Sequence, residues 1–592
     1  MAKLLLSGGK VIDPGKNQIY LADLLIENQV LKKIAPPGEI ERENLKPEEI
    51  IDLSGKYLAP GLIDAHLHIE SGMLTPIEFS RLALLNGTTA IFVDPHEVAN
   101  VRKEGIRIFL ELAEKLPIDM YVGIPSCVPA THLEDAGAEV SLEDIKELID
   151  HSRAYGLAEM MNFPGIIHGL GDAREKVELV FGKGKIVDGH CPGLSGEALV
   201  SYITNGKNDG VVRIMSDHES TSYEEAKEKA EKGMFVALRY GSASKDLNNI
   251  LPGLIENKDP LDRFMLCSDD LEAFELLKDG HINRAVRRAR EIIMENSSLN
   301  SEQATILAFQ LASFNPGRYF ERFFKLVGEP AMGRLEPGAR ANLVVFKDLE
   351  SLETELVIVR GEPVVREGKL IKSMPDYDFS LLFNTVNPGR EFKPEDFKIK
   401  VSSSSRVKVN IIGVIPNSLL TEKLIKEISP QNGELVASPE EDIAKIAVIE
   451  RHKATGKYAV GLVQGLGLKK GAVASTVAHD SHNIIVAGVD DWAMAEAVNQ
   501  LARTGGGMIA VGEGEPVFHP LEIAGLMSQR NAEQVAESYK RVKETAKKLG
   551  SPLDNIFMTL SFLALPVIPQ LKLTNRGLVD VEKFDFVNLI AF

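Results

Sequence analysis

The chain has 592 residues, more than one ordinary domain holds, so two to four domains are expected. At 44% hydrophobic and 26% charged residues its composition is globular, which excludes a disordered or fibrous chain. Lys and Arg number 67 against 85 Asp and Glu, and the net charge of −18 argues against a nucleic-acid or anionic-membrane surface.

Three cysteines, Cys127, Cys191 and Cys267, are too few for a disulfide framework or a Cys-rich zinc site and are read as core residues of a chain kept in a reducing compartment. The N-terminal MAKLLLSGGKVIDPGK has too short an apolar run for a signal peptide. The most apolar stretch, Ile556 to Ile568, is broken by Pro566 and falls short of the about 20 residues a bilayer span needs, so it reads as buried core. A cytoplasmic protein with no membrane or nucleic-acid partner is expected.

In chain order, residues 1–57 alternate apolar and polar positions between Gly, Pro and Asn turns, the pattern of short antiparallel strands. A like stretch returns at 330–375, in ARANLVVFKDL and ELVIVRGEPVVREGKLI, so the two predict one small β-sandwich built from both flanks of an inserted domain. Between them, over 58–329, eight short apolar runs alternate with charged helical stretches: YLAPGLIDAHLH, TTAIFVDPHE, DMYVGIPSCVP, GLAEMMN, KIVDGHCPG, VVRIMSDHES, MFVALRYGSA and RFMLCSDD. Near-continuous apolar strands in strict alternation with helices, at this length, predict a (β/α)8 TIM barrel, an α/β fold. Residues 376–397 read as a linker, and 398–592 as a C-terminal α+β domain in which DDWAMAEAVNQLARTGGG is a helix ended by glycines.

The ends of the runs carry the chemistry. Run one ends in His66-Leu67-His68, run two in His96-Glu97, run four in Glu159, run five in His190, run six in His218 and run eight in Asp269-Asp270. Strand C-termini of such a barrel converge on one mouth, where the fold's active sites lie. Residues i and i+2 of a strand share a face, so His66 and His68 can bind one cation together. Alone, a His-x-His is more often a pair of hydrogen-bonded strand histidines. Recurrence of His190, His218 and Asp269 at later run ends is what makes the metal reading specific. Four histidines and two carboxylates suit Zn(II), Fe(II) or Mn(II).

GLIDAHLH (61–68), DGH (188–190), SDH (216–218), SDD (268–270) and LEPGARANLVVF (335–346) resemble the amidohydrolase superfamily. The resemblance implies that His66, His68 and Asp269 hold one metal, that His190 and His218 hold a second, and that a strand-four side chain bridges both. Many members bridge with a carboxylated lysine. GLAEMMN has none and Lys185 starts run five at the other end of the barrel, so Glu159 is the expected bridge.

A glutamate bridge, with DPHEVANV (94–101), GLAEMMNFPG (156–165), DGHCPGL (188–194), SDHES (216–220), GLGLKKGAVASTVAHDSHNIIVAG (465–488) and LTNRGLVDV (573–581), is similar to the adenine deaminase family over essentially the whole chain. That likeness implies hydrolysis of adenine to hypoxanthine and ammonia in purine salvage. It implies two divalent ions per chain, Mn(II) or Fe(II) with Zn(II) as an alternative, and a hydroxide bridging them. In the expected mechanism Asp269 is general base and acid, and His218 or a neighbour polarises the ring.

His96, Glu97, Arg239, Ser268 and Asp270 are candidates for substrate contact or for orienting the ligands, Arg239 equally for a structural ion pair. The AHDSHN segment, with His479, Asp480 and His482, and His452 before it, could form a metal site of its own, cap the barrel mouth, or be a polar turn. Two other readings stay open: another amidohydrolase activity, on a cyclic amide or an N-acetyl sugar, and a non-catalytic scaffold of the same fold. Zinc deaminases that act on flipped bases are excluded, because the chain has no C-x-x-C. A small-molecule substrate and a homo-oligomer, dimer or higher, complete the expectation.

Overall fold

A computed structural model describes residues 3–42, 47–402, 405–416 and 418–591. At its centre stand eight parallel strands: β1 (Leu62–His68), β2 (Thr88–Val93), β3 (Asp119–Ile124), β4 (Ala154–Met160), β5 (Ile186–Gly189), β6 (Ser216–Asp217), β7 (Phe235–Arg239) and β8 (Phe264–Cys267). Ladders join β1 to β5 in sequence and β6 to β8 in sequence. The Met215 amide donates to Val187 O at 2.8 Å across the gap between β5 and β6, and Asp269-Asp270 pairs with Leu67-His68 to close the ring. Helices cover the outside, so strand residues are buried on both faces and only Phe235 is partly exposed. Inside, Phe92, Tyr121 and Tyr155 pack with Phe320, Phe323 and Phe324 from the helices after β8, which fills the barrel with an aromatic layer and leaves chemistry to its rim.

The two flanking β stretches join in one nine-stranded sheet. The seam is Tyr57–Pro60, paired antiparallel with Leu343–Phe346. Leu4, Leu24, Leu58, Leu343 and Ile358, from both flanks, share one apolar core. The sheet is locked to the barrel through Asp119, fully buried at the start of β3. Arg340 reaches Asp119 at 3.0 Å, Arg153 at 3.6 Å and Arg360 at 3.7 Å, and the Asn342 amide donates to it at 2.8 Å. Burial alone would push this carboxyl up, but the three guanidiniums outweigh it and hold it below the usual carboxylate range.

Because its native pKa lies below the unfolded value, Asp119 contributes stability above the unfolded pKa, and the contribution is lost as pH falls through the native one. Asp119→Asn is expected to lower stability by about 3 kcal/mol at neutral pH, since it leaves Arg153 beside an uncharged amide and Arg340 with Glu329 as its remaining carboxylate partner. Urea unfolding at neutral and acidic pH checks this: the deficit should shrink in acid, and an equal deficit at both would show that charge is not its cause.

The segment predicted as a linker, 376–397, is packed rather than loose. Phe379, Leu382, Phe392 and Phe397 are buried, and short turns at Ser380–Leu382 and Pro394–Phe397 present them to the neighbouring cores. The C-terminal domain carries an eight-stranded sheet, from Thr421–Ile428 at one edge to Val517–Pro520 at the other. Its helix Asp491–Thr504 begins where the Asp490 carboxylate accepts the Ala493 amide at 2.8 Å and stops at Gly505, whose φ of 80° an L side chain resists.

This domain docks over the barrel mouth through the LTNR segment: Thr574 Oγ1 donates to Leu133 O at 2.7 Å, and the Asn575 amide donates to Asp135 Oδ2 at 2.8 Å. Among the described residues no helix is long and apolar enough to cross a membrane.

Candidate active site

The strand ends bring all six expected ligands together. His66 Nε2 and His68 Nε2 lie 3.1 Å apart, and Asp269 Oδ1 stands 3.8 Å from the first and 3.3 Å from the second. Glu159, at the end of β4, turns its two oxygens to opposite sides. Oε1 faces His68 Nε2 at 3.5 Å, while Oε2 faces His190 Nδ1 at 2.5 Å and His218 Nε2 at 3.1 Å. Ligand atoms at about 2.1 Å from a tetrahedral ion are about 3.4 Å from one another, so most of these spacings are those of donors around a shared cation. The His68 ring is aimed by its other nitrogen, which donates to Asp94 O at 3.0 Å and fixes the tautomer that leaves Nε2 free to ligate.

Charge supports the same conclusion. Glu97, Glu159, Glu219, Asp269, Asp270 and Asp480 line one pocket, where among the described residues Arg239 supplies the single permanent cation. Burial would raise the Glu159 carboxyl, but His190 and His218 outweigh it and hold it well below its ordinary value. Asp269 is lowered too, against burial, by the hydrogen bond with His68 and by Arg239. His66 is held well below 6.5 by burial and by its histidine neighbours. Ionised carboxylates and a neutral imidazole are the ligating forms. His218 is raised to about 9, mainly by Glu159 acting against burial; the acidic surroundings call for positive charge there, and divalent ions meet that demand. The residues present therefore fit two such ions.

Asp269 has a φ of 54°, a conformation uncommon outside glycine and costly enough to need the surrounding structure to hold it. Two contacts hold it: the pairing of Asp269 with Leu67, and Arg239 Nη1 at 3.3 Å from Asp269 Oδ2. Arg239 also binds Asp246 at 2.8 Å and contacts Glu219, so it is both a structural ion-pair centre and part of the pocket wall.

The other expected residues divide. His96 sits between Asp94 (3.3 Å) and Glu159 Oε1 (3.5 Å), and its Nε2 faces Asp480 Oδ1 at 3.8 Å. Glu97 and Asp270 line the pocket, and the Ser71 hydroxyl donates to Asp270 at 2.5 Å. Burial and the neighbouring Asp269 push the Asp270 carboxyl up to about 6. Ser268 turns away: its hydroxyl donates to Asp64 Oδ2 at 2.5 Å, which anchors the β8 end to β1, and it does not line the pocket. His479 and Asp480 cap the mouth. His482 lies behind them, fully buried, with Nε2 at 3.8 Å from Glu97 Oε2, off the pocket wall. Cys191 and Cys267 are buried core residues beside the ligands, and Cys191 donates to Asp217.

Sequence reasoning missed Glu219, whose Oε1 stands 3.5 Å from His218 Nε2 and 3.9 Å from His190 Nδ1. The second acid of SDHES was its one signal. It also missed Leu419, Phe562, Leu565, Val567 and Ile568, which close the pocket from the C-terminal domain.

Comparison with known proteins gives the family. Residues 57–364 match the Amidohydrolase family, and residues 418–585 match the Adenine deaminase C-terminal domain. The chain is similar to a protein named adenine deaminase from Desulfatibacillum aliphaticivorans, 41% identical over 99% of this chain and 97% of that one. It is similar to adenine deaminase 2 of Carboxydothermus hydrogenoformans, 40% identical over 99% and 96% of the two chains. It is also similar to an adenine deaminase of Methanothrix thermoacetophila, at 39% over 99% and 97%.

Proposed function

Because the chain belongs to the adenine deaminase family of amidohydrolases, we propose that it hydrolyses adenine to hypoxanthine and ammonia, as a step of purine salvage. The observation that carries the metal-dependent chemistry is Glu159, whose two carboxylate oxygens face two separate sets of histidines. His66, His68 and Asp269 would hold one divalent ion, His190 and His218 the other, and Glu159 both. Mn(II) or Fe(II) is the proposed pair. Bound there, the ions supply a water activated for attack near neutral pH and polarise the substrate.

The chain's own groups do the rest. Asp269 takes a proton from the attacking water as the C6–O bond forms. It returns that proton to the amine nitrogen as the C6–N bond breaks, so one water and one adenine leave as hypoxanthine and ammonia. Arg239, pinned by Asp246, keeps the Asp269 carboxylate in place through this exchange. Polarisation of the ring falls to a neighbour of His218, because His218 Nε2 is the atom that would ligate the second ion. The C-terminal cap excludes bulk water, which strengthens each of these interactions.

Ammonia release from adenine by Mn(II)-loaded protein tests the reading, with cytosine, dihydroorotate, hydantoin and an acetylated sugar run beside it. Adenine should be turned over in preference to all four. Chelation should abolish turnover, and Mn(II) or Fe(II) should restore it at about two ions per chain. Preferred release from another compound would move the reading to a different amidohydrolase activity. Failure to bind two ions would favour a scaffold. A cytoplasmic homo-oligomer is part of the same proposal, and light scattering of the purified protein gives its order.

A further inference from the structure

The pocket has two walls of different origin. Barrel strand ends contribute the ligands. The opposite wall is C-terminal: Asp480, then Phe562, Leu565, Val567 and Ile568. Phe562 stacks on His479, which also lines the pocket, with ring centroids 4.4 Å apart and planes 11° from parallel. Asp480 is 3% exposed, with Oδ1 facing His96 Nε2 at 3.8 Å and His479 Nδ1 at 3.6 Å, while Oδ2 has no hydrogen-bond partner. Asp480 is one of the residues that line the pocket, and a buried carboxylate oxygen without a donor costs stability that a ligand's N–H would recover.

Substrate orientation supplies the donor. On the adenine reading C6 lies beside the six expected ligands, and a base seated with its five-membered ring away from them would turn that ring toward the C-terminal wall. An unsubstituted purine carries one N–H on that ring, and an ionised carboxylate is its strongest acceptor. We infer that the C-terminal domain supplies the base-recognising half of the pocket: Asp480 accepts the imidazole-ring N–H of a free purine base, and Leu565, Val567 and Ile568 close over the ring. A ribosyl group at that nitrogen removes the donor and meets the apolar wall, so the site selects the free base over the nucleoside. The inference rests on the adenine reading above.

The test measures kcat/KM for adenine, 9-methyladenine and adenosine with the Mn(II)-loaded full chain and its Asp480→Asn and Asp480→Ala variants. Wild-type protein should prefer adenine over 9-methyladenine by at least about 1,000-fold, because a site built around a substrate N–H rejects the analogue lacking it. Asp480→Ala should lose about 100-fold on adenine, chiefly in KM, and leave 9-methyladenine within about threefold of wild type. The near-isosteric Asp480→Asn keeps the shape, and with metal content and circular dichroism unchanged it should show the same collapse of preference.

An unchanged adenine to 9-methyladenine ratio in both variants, with wild-type protein active on adenine, overturns the role of Asp480 and leaves the adenine reading standing. No ammonia from adenine with wild-type protein overturns both.

Discussion

Glu159→Gln is expected to lose both the second metal equivalent and turnover. The carboxylate faces both histidine sets, with Oε1 toward His68 and Oε2 toward His190 and His218. An amide offers one oxygen and no charge. The side that receives its NH2 group is left without an acceptor, and buried negative charge that would offset a dication disappears. Loss of several kcal/mol of charge stabilisation corresponds to a fall in kcat of about 1,000-fold or more. Elemental analysis should show about one ion per chain or fewer. A Glu159→Gln protein with two ions and near-normal turnover would remove the bridge from the mechanism. Glu159→Asp separates charge from reach: the shorter carboxylate should recover part of the metal content and little of the rate.

Asp269→Asn should behave differently. His66 and His68 stay, Glu159 still spans both sides, and an asparagine tolerates the φ of 54° better than most residues. Metal content is therefore expected to change little, while kcat falls by about 100- to 10,000-fold, the range of a positioned general acid–base group. An amide can neither take the water's proton nor return one to departing ammonia. Single-turnover kinetics in the variant should show the chemical step slowed, with KM moved little. If turnover survives, another carboxylate of the pocket carries the proton, and Glu219, 3.5 Å from His218, is the first to replace in turn.

What could be read from the sequence was local pattern repeated. His66, His190, His218 and Asp269 each end an apolar run, and the eight runs fall in one order with helices between. A barrel converts that order into one mouth, so the six side chains that meet there could be named from spacing and resemblance. Contacts set by three-dimensional docking left no such trace. Val567 and Ile568 follow a helix of the C-terminal domain and look like any core segment, because nothing in their own neighbourhood tells which apolar surface will face a pocket. Ser268 shows the converse. Its place beside Asp269 suggested the mouth, yet Asp64, two hundred residues earlier, draws its hydroxyl away. The packed strap at 376–397 was masked by its prolines and asparagines, while its buried hydrophobic side chains, Phe379, Leu382, Val386, Phe392 and Phe397, carried the structural information.

The seam between Tyr57–Pro60 and Leu343–Phe346 has a consequence for how the chain is made. Its N-terminal strands leave the ribosome with one edge open, and the segment that covers that edge follows only after the whole barrel has been translated. At about 5–20 residues per second that interval lasts roughly 15–60 s. Throughout it, a hydrophobic strand edge is available to any neighbouring nascent chain. Production should therefore depend on temperature and on synthesis rate more steeply than the stability of the finished enzyme would suggest, with slower, cooler expression raising the soluble yield.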